Sequence, residues 1–230
     1  MSRQLYVTSV IAPSNDSRPI RTEFDRQMRR IQRDVLRMGA LVESSCWLAC
    51  QALFERDLAA VTQIKAQETR IDKFYRQIEV DCINLLGLQS PVSQDLRLLS
   101  ALMQLVRDLE RIGDYADDLG EISLKLFPHP PHPILPQTQV MAHRCRAMVA
   151  MSLAALSNLD AESGLELKAE DDRVDAEYDA LYEALAQQRD ITGSVEPTVL
   201  MVLVIRHLER MADHATNIGR RVAYVVTGQR

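Results

Sequence analysis

Apolar positions along the chain fall at steps of three and four, over stretches longer than one ordinary globular helix. From about Thr22 to Ala60 the stripe runs Phe24, Met28, Ile31, Val35, Met38, Val42, Cys46, Ala49 and Leu53, the spacing of one buried helix face. A second helix is expected from about Ile64 to Leu86, stopped by Gly87 as its C-terminal cap. Pro91 opens a third, which continues to about Phe127 on a stripe of Leu99, Leu102, Met103, Val106, Leu109, Gly113 and Ala116. Residues 128–136, PHPPHPILP, hold five prolines in nine positions and cannot be helix interior. Three more helices follow, about Gln137 to Leu159, Leu165 to Gln188 and Glu196 to Val226, punctuated by Gly164 and Gly193.

Three helices, a proline linker and three helices suggest duplication. LVRDLERIGDYADDL, from Leu105, aligns without gaps on VIRHLERMADHATNI, from Val204, with six of fifteen positions identical. ETRID, from Glu68, aligns more weakly with DDRVD, from Asp171. Long amphipathic helices with short connections make antiparallel bundles. The expected fold is therefore all-α, two tandem three-helix bundles lying side by side or end to end. The first spans 21–127 and the second 137–228, joined by the linker 128–136. Residues 1–20 read as a poorly ordered arm.

Composition narrows the function. At 230 residues with 5% aromatics and eight glycines, an all-β fold is disfavoured. A net charge of −5 argues against a nucleic-acid footprint. No run reaches the ~18 apolar residues of a membrane span, and no signal peptide is legible, so a cytoplasmic protein is expected. Cys46, Cys50, Cys82 and Cys145 lie in helical patterns without a CxxC pair and read as buried small apolar residues. Phosphate-binding loops, dinucleotide fingerprints and nucleophile elbows are absent from the sequence.

The informative feature is a recurring acid-xxx-acid spacing: Glu68/Asp72, Glu110/Asp114 continued by Asp118, Asp171/Asp175, and Glu209/Asp213. Residues four apart stack on one helix face, where like charges cost ~0.2–0.5 kcal/mol per pair. At ~100° per residue, both rows of the first half flank the core stripe, so neighbouring helices can bring them together in a seam. Two readings stay open on the residues alone. Arg70, Arg107, Arg111, Arg173, Arg206 and Arg210 lie within a turn and can neutralise the acids as surface ion pairs. Alternatively the carboxylates bind hard or borderline cations such as Mg²⁺, Ca²⁺, Mn²⁺ or oxidised iron. The Glu-x-x-His of di-metal bundles is missing: Gly113 and Ala212 stand where its histidines belong. A metal-storage or metal-dependent hydrolytic bundle is thus the lesser alternative. His214 reads as a surface histidine rather than an extra ligand, and His129 and His132 in the linker as adventitious binders at best.

Together these segments resemble the PhoU family. SPVSQDLRLLSALMQLVRDLERIGDYADDL is similar to the family's Q-P-x-x-x-D-L-R segment followed by L-E-R-I-G-D-x-A-x-N-I, LERMADHATNIGRR is its second-repeat version, and FDRQMRRIQRDVLRMGALVESS resembles its first helix. Ser90 replaces the usual Gln before Pro91, Asp118 stands where Asn is common, and Asp171 replaces Glu; oxygen donors are kept at the acid positions. The resemblance implies pseudo-twofold symmetry between the bundles and a homodimer. It implies multinuclear clusters of iron-type or zinc-type ions. Glu68, Asp72, Glu110, Asp114 and Asp118 would hold the first, and Asp171, Asp175, Glu209 and Asp213 the second. It further implies a non-enzymatic negative regulator of phosphate uptake and of the phosphate-starvation response. Such a protein links the Pst phosphate ABC transporter to a phosphate-sensing histidine kinase and meets the membrane only through these partners.

Overall fold

The computed structural model describes residues 17–89, 93–189 and 193–229. These residues form six helices: α1 (Ser17–Phe54), α2 (Ala59–Gln89), α3 (Ser93–Leu126), α4 (Leu135–Asn158), α5 (Ala161–Ala186) and α6 (Glu196–Thr227). Most of the arm read into residues 1–20 lies outside the described residues; Ser17 to Ile20 open α1 instead.

Each triplet packs all three ways, α1 with α2 and α3, and α4 with α5 and α6. The two bundles lie side by side, joined through α3 against α6 and, less extensively, α1 against α4. Every residue of the expected α1 stripe, from Phe24 to Leu53, is buried. Gly39, on α1, lets α4 approach: a Cβ there would stand 2.4 Å from a methyl carbon of Leu153.

Several boundaries differ from the expected ones. α1 ends at Phe54, short of Ala60, because Arg56 takes a left-handed conformation (φ 58°). The Asp57 carboxylate then accepts from Ala59 N–H at 3.0 Å and starts α2. Gly87 does not stop α2, which continues to Gln89. Gly164 does not precede α5 but sits in its first turn, behind an Asp160 cap that accepts from the Glu162 and Ser163 N–H groups. Leu135 and Pro136, expected in the linker, form the first turn of α4, where a proline's missing N–H costs nothing. Arg56 pins the linker from below, donating to the carbonyls of Phe127 and His129 and covering the Phe127 ring at 4.7 Å.

The α3/α6 seam carries a buried polar cluster. Asp108, 5% exposed, accepts from Arg221 Nε at 2.7 Å and meets His214 Nδ1 at 2.9 Å, while Arg221 also reaches Gln104. Tyr115 packs against His207 and His214, ring centroids 5.4 and 5.9 Å away. In the repeat, Asp108 aligns with His207 and Tyr115 with His214. The contacts Asp108·His214 and His207·Tyr115 are therefore one contact seen twice, as a pseudo-twofold axis between the bundles requires.

Candidate functional site

Each acid row sits on a helix seam, one in each bundle. In the first bundle Glu68 and Asp72 lie on α2, and Glu110, Asp114 and Asp118 on α3; all five are half-buried. Asp114 is pushed up to about 6, first by burial, then by the charge of Glu110, with Asp72 and Asp118 adding and Arg111 opposing. Glu110 is raised as well, by burial and across the seam by Asp72, against Arg111 and Arg107. Asp72 thus acts on both Glu110 and Asp114 from the facing helix, which is the meeting of rows expected from the helical angles.

The second bundle repeats this pattern. Burial raises Asp175, with Asp171 and Asp213 adding. Burial raises Glu209, with Asp213 and Asp175 adding against Arg206 and Arg210. Asp171 is only 4% exposed, and its Oδ1 has no partner.

Ion pairing is also present, on arginines chosen by geometry rather than by sequence distance alone. Arg111 lies 3.2 Å from Asp114 and 3.5 Å from Glu110. Arg76 holds Asp72 at 2.6 Å, Arg206 holds Glu209 at 2.7 Å, and Arg210 holds Asp213 at 2.6 Å. Arg173 pairs instead with Glu170. With the side chains so placed, no three His, Cys, Asp or Glu groups among the described residues converge on a point that would hold an ion. The donors suit a hard cation in kind, and the unpartnered Asp171 oxygen offers one ready ligand. A cation entering either seam has to displace basic side chains.

The two seams differ in one respect that the repeat alignment does not announce. Lys65 and Lys168 are equivalent. Lys65 is drawn across to Asp117 (2.5 Å) and Glu121 (2.7 Å) on α3, clear of the acid row. The positions equivalent to those two on α6 are Thr216 and Arg220. Lys168 accordingly stays on its own helix, 2.9 Å from Asp171 and 2.8 Å from Asp172.

His214, expected at the surface, is mostly buried and committed to Asp108 between the bundles. Asp108 itself was not among the expected polar sites. Its signal lay in the non-identical positions of the repeat, where Asp faces His and Tyr faces His. His129 lies 3.4 Å from Glu196, and His132 contacts Thr198. All four cysteines are free and buried, and burial pushes their thiols up, Cys50 to about 11 and Cys82 to about 12. None is a ready nucleophile.

A family model described as the PhoU domain matches residues 35–123 and again 138–222, one copy per bundle. A phosphate-specific transport system accessory protein PhoU homologue of Synechocystis is 57% identical over 212 residues, covering 92% of this chain and 95% of that protein. Among solved structures, PhoU of Pseudomonas aeruginosa superposes with TM-score 0.84 at 28% identity, covering 90% of this chain and all of that one. The phosphate transport system regulatory protein PhoU of Streptococcus pneumoniae does so with TM-score 0.81 at 28% identity, covering 90% and 98%. Two matches of the domain, one on each bundle, and a close relative along nearly the whole length place the chain in the PhoU family.

Proposed function

We propose that the chain is a non-enzymatic regulatory accessory of phosphate-specific transport. It acts as a negative regulator of phosphate uptake and of the phosphate-starvation response. The observation that carries this is the 57% identity to an accessory protein of that transport system over 92% of the chain. In this reading the protein is an adaptor on the cytoplasmic side, joining the Pst transporter to a phosphate-sensing histidine kinase, and works as a homodimer. No helix among the described residues is long and apolar enough to cross a membrane; in this reading membrane contact runs through partners.

The acid rows are proposed as metal seams. Glu68, Asp72, Glu110, Asp114 and Asp118 would hold cations in the first bundle, and Asp171, Asp175, Glu209 and Asp213 in the second. Iron, zinc, or a Mg²⁺, Mn²⁺ or Ca²⁺ ion bound there supplies concentrated positive charge on the bundle surface. The protein's part is to gather carboxylates whose repulsion the ion relieves.

Gene deletion with phosphate in excess tests the regulatory role; starvation genes should be derepressed, and a normal response would refute it. Pulldown of the transporter and the kinase with wild type and with Glu110→Ala/Asp114→Ala tests the adaptor and the first seam together. Loss of either partner in a variant that still folds supports the reading. Elemental analysis of freshly purified, untagged protein then reads the metal content directly.

A further inference from the structure

The first half of α1 departs from the charge of the rest of the molecule. Between Ser17 and Arg37 the sequence has seven arginines against Glu23, Asp25 and Asp34, in a chain whose net charge is −5. Three of these arginines are committed: Arg26 to Glu23, Arg30 to Asp81 and Arg37 to Asp34. Arg29 and Arg33 are exposed, and neither has a carboxylate partner among the described residues.

These two stand four apart on one face of α1, and Leu36, 37% exposed, continues that face one turn on. They border a recess of about 500 Å³. Its floor is apolar and comes from three helices: Leu36 on α1, Leu98 and Leu102 on α3, and Leu159 at the end of α4. The recess therefore spans both bundles. Its size falls in the range of binding clefts, ~300–1,000 Å³.

We propose that this recess docks an acidic amphipathic segment of a partner protein. Apolar side chains of the segment fill the leucine floor, while its carboxylates pair with Arg29 and Arg33. Guanidinium forks match carboxylates in bidentate geometry, and an apolar anchor ringed by charge is the usual anatomy of an energetic centre in an interface. The concave, three-helix floor fits an inserted side chain better than a flat lipid surface. The chain's own first sixteen residues contain one acid, Asp16, and lack the complementary charge. The proposal rests on the adaptor reading, and it is tested apart from that reading.

The test uses the full chain and two fluorescein-labelled helical peptides of about 18 residues. Both carry leucines at i, i+3, i+4 and i+7. One has Glu on its polar face and the other Lys. Anisotropy should show saturable binding of the Glu peptide at least about tenfold tighter than the Lys peptide, weakened by added salt. Arg29→Glu/Arg33→Glu should cost at least about tenfold for the Glu peptide, with an unchanged melting profile because both sites are exposed. Absence of saturable binding, equal binding of the two peptides, or an unaffected double variant overturns the proposal. Two further outcomes also overturn it when peptide binding is insensitive to the variant. Loss of phosphatidylserine vesicle binding in that variant assigns the arginines to lipid, and loss of a dimer on sizing assigns the recess to a second copy. A normal starvation response in the deletion strain alongside specific peptide binding would sink the adaptor reading and leave the docking site standing.

Discussion

Asp114 is held where burial and three other carboxylates oppose its charge. It is pushed up to about 6, whereas an unfolded-chain Asp titrates near ~3.9. Between those values the folded state binds more protons than the unfolded one, so stability falls as pH rises from about 4 to about 6. Asp114→Asn should remove that fall. In metal-free protein a thermal melt should show the variant more stable by about 2 °C at pH 7, after discounting for solvent screening, and no different at pH 4. A variant that melts lower at pH 7 would contradict the repulsion. The acid rows and their meeting across the seam were legible in the sequence, because i,i+4 spacing and helical angle are local properties. The separate fates of Lys65 and Lys168 were not. They depend on which residues stand opposite, Asp117 and Glu121 in one half and Thr216 and Arg220 in the other, and facing residues are a property of packing.

At the scale of the helix, glycine means different things at different places. Gly87 lies inside α2 with open space where a Cβ would go. Gly87→Ala should stabilise the chain by about 0.5–1 kcal/mol by removing backbone freedom from the unfolded state. Gly219 is the repeat equivalent of Gly120, one step past the fifteen-residue alignment. It sits where α6 crosses α5, and a Cβ there would stand 2.2 Å from the carbonyl oxygen of Gly164. Backbone cannot yield as a side chain can, so Gly219→Ala should cost about 2 kcal/mol or more. Chemical denaturation of the two variants checks the opposite signs. Sequence periodicity placed all six helices, since a long stripe is a strong signal. It mistook both Gly87 and Gly164 for helix ends, because a glycine stop and a glycine contact read alike until the neighbouring helix is known. It also passed over the turn at Arg56, where a non-glycine residue adopts the left-handed conformation.

On the scale of the whole molecule, the bundles are joined by their surfaces more than by their linker. A chain cut between Pro130 and Pro131 and expressed as two pieces should reassemble, so that a tag on one half recovers the other. Asp108→Ala in the first piece leaves Arg221 and His214 without their shared carboxylate. Arg221 is partly exposed and keeps Gln104, so losing the shared carboxylate should cost about 1–3 kcal/mol, and recovery should fall. Equal recovery would mean that the polar cluster contributes nothing to the joint. The divergence of the two halves at that joint also sets what each half recognises. Two α3 surfaces brought together would place Asp108 against Tyr115 twice, depriving both carboxylates of His214 and Arg221. Two α6 surfaces would place His207 against His214 twice, with no acid between them. Only the unlike combination gives Asp108 its histidine and its arginine, so each bundle discriminates against its own kind and accepts its sibling. Tethering the sibling by a short, pinned linker makes that encounter independent of protein concentration.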